Sequence, residues 1–116
     1  MAVKVVRDVL IADSGVTALV GTRISPSPLV QDVAMPAVGL QRVSHVPQNT
    51  LRTDGNLDAN RVQLDAWATT YAASRDVATA CRTALQAAGH QLELESDDYD
   101  PEAKLYRVIQ DWSIWQ

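Results

Sequence analysis

Arg61-Val62-Gln63-Leu64-Asp65-Ala66-Trp67-Ala68-Thr69-Thr70-Tyr71 passes from one backbone period to another, and the rest of the 116-residue chain can be read outward from it. Val62, Leu64, Ala66 and Ala68 alternate with Arg61, Gln63, Asp65, Trp67 and Thr69, which predicts a strand over 61–69 with one apolar face. Trp67 falls on the polar side. Thr70 is a residue type that caps helix N-termini, and Ala73, Val77, Ala80, Cys81, Ala84, Leu85 and Ala88 then recur at helical spacing. A helix is expected over 71–88, ended by Gly89 in the C′ position, where a left-handed backbone costs little. Its stripe is mostly alanine, so its axis can approach a sheet closely.

Upstream, Val3, Val6, Val9 and Leu10 share one helical face, and Asp13-Ser14-Gly15 stops the pattern with turn chemistry. A second short helical stretch over 16–20 ends at Gly21 and leads into a short strand at Thr22-Arg23-Ile24. The prolines in Ser25-Pro26-Ser27-Pro28 bar a central strand, because each lacks a ladder donor. A loop to Met35-Pro36 is expected. Residues 37–46 alternate through Val38 and Leu40, then slip parity after Arg42, as a bulge or a change of covered face would produce. The polar stretch 47–60, with Asp54-Gly55, predicts a long hairpin connection.

Downstream, Leu92 and Leu94 alternate with Glu93 and Glu95 over 90–96, and Asp97-Asp98-Tyr99-Asp100-Pro101 reads as a turn. Residues 104–115 form a last strand, with Tyr106, Val108, Trp112 and Ile114 on one parity. Leu105, Arg107, Ile109, Asp111, Ser113 and Trp115 take the other. Hairpin-joined strands with helices against them predict an α+β fold: a mainly antiparallel sheet of about four to five strands, packed against one long helix plus a short N-terminal helix. One domain over 1–116 is expected.

Composition narrows the task by exclusion. Ten Lys and Arg against fourteen Asp and Glu give a net charge of −4, and 47% apolar residues suffice for an ordinary core. An acidic chain without a Lys/Arg cluster is a poor duplex binder, since that affinity comes from phosphate neutralisation. One cysteine makes no internal disulfide. The charged start and the lack of any long apolar run lead to the expectation of a soluble protein, intracellular when made and with no membrane partner.

Candidate chemistry is thin. His45 and His90 are the chain's two imidazoles and fit strand edges. Cys81 lies on the apolar helix stripe, where a thiol is a small hydrophobe. No nucleophile elbow, phosphate loop or dinucleotide fingerprint occurs. Asp54, Asn56 and Asp58, with Asp65 at the twelfth position, resemble the oxygen ligands of a calcium loop. Ala59 stands where the sharp turn needs glycine, and Asp65 where a longer Glu closes the site. A small calcium-binding protein or enzyme using the 54–58 loop is thus an alternative of a different class. The leading expectation is no enzyme activity, no cofactor and no metal. The Asp97, Asp98 and Asp100 cluster has its ordinary explanation as an acidic turn.

Trp67, Ile109 and Trp115 share parities with Asp65, Arg107 and Asp111, which places large apolar groups on the side otherwise assigned to solvent. Either the N-terminal helix covers them, or they mark a protein contact. The interface candidates are these three with Arg52, Asp54, Asn56 and Asp58 of the long connection.

Taken in order, Leu19-Val20-Gly21-Thr22-Arg23-Ile24, Met35-Pro36-Ala37-Val38, Leu40-Gln41-Arg42-Val43-Ser44, the stretch from Arg61 to Tyr71, Asp97-Asp98-Tyr99-Asp100, Leu105-Tyr106-Arg107 and Asp111-Trp112 resemble the tail terminator or tail completion proteins of long-tailed bacteriophages, prophages and gene transfer particles. The resemblance spans nearly the whole chain; Gly39 and the 47–60 loop depart from it. It implies a structural virion protein, made in the host bacterial cytoplasm, that forms a ring, a hexamer, at the head-proximal end of the tail tube. That ring stops tube polymerisation and docks the head. Implied partners are further copies of the chain, the tail tube protein and a head-tail connector or head-completion protein, with DNA passing through without specific binding. The neighbouring role in the neck, as a head-completion or connector protein, is the alternative within this class.

Overall fold

The computed structural model describes residues 2–26, 34–46 and 59–114, with side chains over 3–26, 34–42 and 61–114. In chain order the elements are α1 (Ala2–Ala12), α2 (Ser14–Val20), β1 (Ile24–Pro26), β2 (Ala37–Val46), β3 (Ala59–Ala68), α3 (Tyr71–Ala87), β4 (Gln91–Asp100) and β5 (Leu105–Ile114). The five strands form one sheet in the order β1-β2-β3-β5-β4. β1 runs parallel to β2 and every other pairing is antiparallel, so the fold is α+β with a mixed sheet.

The local signals act where expected. The Asp13 side chain accepts from the Val16 N–H at 3.1 Å and starts α2. Thr70 Oγ1 accepts from the Ala73 N–H at 3.2 Å and starts α3, and Gly89 follows that helix at φ +92°. The parity slip in β2 is a bulge between Arg42 and Ser44. Pro26 sits on an edge strand, where its missing N–H leaves no ladder bond unmade.

Several boundaries depart from the sequence reading: α2 begins at Ser14, within the expected turn, β1 is Ile24–Pro26 rather than 22–24, so Ser25 and Pro26 are strand and not loop, and β3 begins at Ala59, within the expected connection. Asp97 to Asp100 are strand, not turn, because Asp97 pairs with Val108, Asp98 with Arg107 and Tyr99 with Tyr106. The turn is 101–104, where Asp100 Oδ1 accepts from the Glu102 and Ala103 N–H groups and Lys104 takes φ +56°. Cross-strand partners outweigh local turn chemistry here.

The three described helices share one side of the sheet. Val6 and Leu10 of α1, Val16 and Val20 of α2, and Val77, Ala78, Cys81, Ala84 and Leu85 of α3 form one core with Val38, Leu40, Val62, Leu64, Ala66, Val108, Trp112 and Ile114. α1 packs over β1, β2 and β3, while α3 packs over β3, β5 and β4. Gln110 is wholly buried in this core. Its amide donates to the Ala78 carbonyl at 3.1 Å and to Glu95 at 2.8 Å, and its oxygen accepts from the Trp112 indole at 3.0 Å. No described helix is long and apolar enough to cross a membrane.

Candidate assembly interface

On the opposite side of the sheet no described helix packs. Register fixes its rows: Ala37, Trp67, Arg107 and Asp98 in one, Gly39, Asp65, Ile109 and Ser96 in the next, then Gln41, Gln63, Asp111 and Leu94. α1 does not cover Trp67 or Ile109, since its apolar residues enter the core on the other face. Of the two alternatives the sequence left, cover by the N-terminal helix is therefore ruled out for Trp67 and Ile109: α1 and α3 lie side by side on the other face.

Arg107 organises the first two rows. Its guanidinium carbon lies 4.9 Å from the Trp67 ring centroid, its Nη2 donates to Asp98 Oδ2 at 2.6 Å, and its Nη1 lies 3.7 Å from Asp65 Oδ2. Its Nε is buried without a hydrogen-bond acceptor, so the cation is held by ring and carboxylates rather than by a full set of acceptors. Trp67 is in consequence half-buried beneath the guanidinium, and Ile109 is half-buried beside it. Leu94, at the bulge of β4, is the exposed aliphatic group of this side at 60%.

The two carboxylates flanking Arg107 are pushed in opposite directions. Asp65 is 4% exposed, and burial raises its pKa above the usual 3.8 despite a 3.0 Å hydrogen bond from Gln63 and the Arg107 charge. Asp98 is exposed, and the Arg107 hydrogen bond lowers its pKa below that value. Tryptophan and arginine are residue types that protein contact surfaces favour.

A second aromatic group, missed in the sequence, lies at the far end of the helix side. Tyr71, Tyr99 and Tyr106 are the chain's three tyrosines, and they meet there. Tyr71 and Tyr106 pack edge to face with centroids 6.1 Å apart, and Tyr99 and Tyr106 lie 4.7 Å apart. Tyr71 and Tyr99 are 49% and 45% exposed, and the Tyr71 hydroxyl donates to Asp97 at 3.0 Å, a bond that raises its pKa. The strand extension to Asp100 is what brings Tyr99 to Tyr106; reading a turn there concealed the cluster.

The remaining candidates sort by place. Arg52, Asp54, Asn56, Asp58 and Trp115 lie outside the described residues, and the calcium-loop alternative with them. Among the described residues no three His, Cys, Asp or Glu are grouped to hold a metal ion. Cys81 is buried and its thiol is pushed up to about 12 by burial. His90 is buried just before β4, its pKa lowered by burial, and its backbone N–H donates to the Leu85 carbonyl at 3.1 Å. The His45 backbone pairs with Asn60 in the β2–β3 ladder.

No protein of curated description matches the chain. Among solved structures, a chain from the virion of a native gene transfer agent particle superposes with a TM-score of 0.76 at 18% identity, covering 95% of this chain and 90% of that one. At that identity the likeness shows a shared fold. The model of the family described as tail completion protein gp17 matches residues 4–116. Nearly every element, from α1 to the last strand, therefore lies within the match, and the chain belongs to the tail completion protein gp17 family.

Proposed function

We propose that this chain forms a closed ring of identical subunits, a hexamer, at the head-proximal end of a phage-type tail tube. There it ends tube polymerisation and offers the docking surface for the connector or head-completion protein. Membership in a tail completion family supports a structural role in the tail or neck. The single observation that carries the finer reading is the Trp67–Arg107–Asp65–Asp98 array on the side of the sheet that no described helix covers. A half-buried indole and a guanidinium fixed over it on a sheet face outside the core give a rigid, partly desolvated patch of the residue types that anchor subunit contacts. A ring also needs two different patches per subunit, and a sheet with helices on one side and two separate edges has distinct surfaces to supply them.

No catalysis is part of this reading. The thiol is buried and protonated, and Asp65, whose pKa is raised by burial, is tied to Gln63 and Arg107. A net charge of −4 also suits a lumen through which DNA must slide, because phosphate-binding cations would retard it.

The experiment is polymerisation of purified tail tube protein with increasing amounts of this chain, read by light scattering and by tube length. Arrest at amounts far below one chain per tube subunit is expected, because one ring stops one tube. Tubes of unchanged length at saturating chain would contradict the terminator role, and binding to connectors without effect on tubes would move the chain along the neck.

A further inference from the structure

The charge of this chain is unevenly placed. Residues 91–116 hold seven Asp or Glu and two Lys or Arg, a net −5, which leaves +1 for residues 1–90. The acidic part is the β4–β5 hairpin, and β4 is an edge strand whose outer side no described strand pairs with. A ten-residue edge with unpaired backbone groups is a template for association unless charge restricts what can approach it. β4 carries Glu93, Glu95, Asp97, Asp98 and Asp100 and no cation.

These carboxylates are fixed from within the subunit. Glu93 accepts from Ser113 at 2.7 Å, Glu95 and Asp97 both pair with Arg75, and Asp98 pairs with Arg107. Each carboxylate oxygen has a second lone pair, so the array is held in place and still able to accept. The tyrosine cluster adjoins it, with Tyr71 bonded to Asp97 and Tyr99 on β4 itself. Acidic groups set beside exposed aromatic faces suit a cationic partner.

The other edge of the sheet offers those cations. Arg23 O accepts from the Val38 N–H, so the carbonyl of Ile24, one residue on, points away from β2 to the outer side of β1. The Nε of Arg7 donates to that carbonyl at 3.1 Å, capping the β1 edge with a guanidinium. Lys4, three residues earlier on α1, is adjacent on the helix surface; its ammonium lies 2.8 Å from Asp8 in an exposed i,i+4 pair, so the Lys4–Arg7–Arg23 group with Asp8 carries a net charge of +2. Arg23, the residue before Ile24, is half-exposed, its Nε donating to the Pro36 carbonyl at 2.9 Å. β1 and β4 are separated by four strand spacings, roughly 19 Å, so the two edges face away from one another.

We propose that the acidic, tyrosine-flanked β4 edge of one subunit meets the Lys4–Arg7–Arg23 edge of a second copy of this chain, the head-to-tail contact that closes the ring. This rests on the ring reading above and names the patches it uses. Opposite charges on opposite edges make the contact heterologous, so it repeats around a circle instead of stopping at a dimer.

The test reverses one charge on each edge, Lys4→Glu and Glu93→Lys, both at exposed positions outside the core. Ring occupancy of preformed tail tubes is measured by gel filtration of the tubes and by images of their ends. Each single reversal is expected to raise the concentration needed for half occupancy about tenfold at low salt, and the double reversal to return it to within about threefold of the unaltered chain. Single reversals without effect, or a double reversal worse than either single, would overturn the contact while the unaltered ring still stands. If the unaltered chain caps no tube, the ring reading itself has failed and the contact with it. Should either variant melt far below the parent, the salt series on the unaltered chain decides: occupancy must weaken from about 50 to about 500 mM NaCl, and indifference to salt overturns the proposal.

Discussion

Arg107 lies over Trp67, its guanidinium carbon 4.9 Å from the centre of the indole, while Asp65 and Asp98 hold it from either side. The two residues are directly opposite one another in the β3–β5 ladder. Replacing Trp67 with Ala removes the ring from a half-buried site outside the core, so the loss of stability is about 1–2 kcal/mol and the monomer stays folded. Tube capping is expected to fall much further than thermal stability. Normal capping by a folded Trp67→Ala chain would remove this residue from the interface.

The same guanidinium separates two titrations. A proton leaves Asp65 above pH 3.8 in the folded chain and leaves Asp98 below it. For Asp65 the folded state holds its proton more tightly than the unfolded state, so this group's contribution declines as pH rises from 3.8 through the raised value. The Asp98 contribution has the opposite sign: it is fully present above 3.8 and is lost as pH falls through the lowered value. Carboxyl-carbon resonances followed by NMR across pH 2–7, a range of about five units around the reference carboxylate values, check both directions. Asp65→Asn should abolish the higher titration and leave the lower one in place.

Gln110 tests the polar element within the core. Gln110→Ala leaves the Trp112 indole N–H and the Ala78 carbonyl without their partner and opens a cavity, at a cost of about 2–4 kcal/mol. Gln110→Leu restores volume but not the bonds and should recover part of that loss. Urea denaturation of the three chains orders them; equal midpoints would show that the network contributes nothing.

Cys81 has a thiol buried in the α3 stripe and pushed up to about 12, so a disulfide reagent at pH 8 should not modify the folded chain. Modification should appear only as urea unfolds the protein, and its rate then reports the opening of the α3 core. Rapid labelling without denaturant would contradict the packing of that helix.

Gly89 isolates a backbone effect. It sits at φ +92° with nothing within 4 Å of where a Cβ would be, so Gly89→Ala meets strain without a clash. A loss of about 1 kcal/mol is expected in thermal unfolding, with assembly unaffected.

The elements that local chemistry specifies were legible in the chain. The alternation from Arg61 to Ala68, the Thr70 cap, the alanine stripe of α3 and the slip after Arg42 each depend on neighbours in sequence, and each stands where the residues put it. β4 was cut short because an edge strand exposed on both faces has no apolar alternation beyond Leu94; only Arg107 and Tyr106, across the hairpin, make Asp98 and Tyr99 strand. Gln110 interrupts the apolar parity of β5 and gave no sign that Glu95, Ala78 and Trp112 would all satisfy it. Trp67 and Ile109 could be placed on the polar parity, but not the position of α1, which depends on how two helices share one face of the sheet. The tyrosine cluster joins residues 71, 99 and 106, a pairing that no local pattern announces.

Electron images of tail tubes incubated with the purified chain bear most directly on the central claim. A single ring-shaped cap at one end of each tube, with no further growth from that end when tube protein is added, is the expected result. Decoration along the tube wall, or tubes that keep lengthening from both ends in the presence of excess chain, would contradict it.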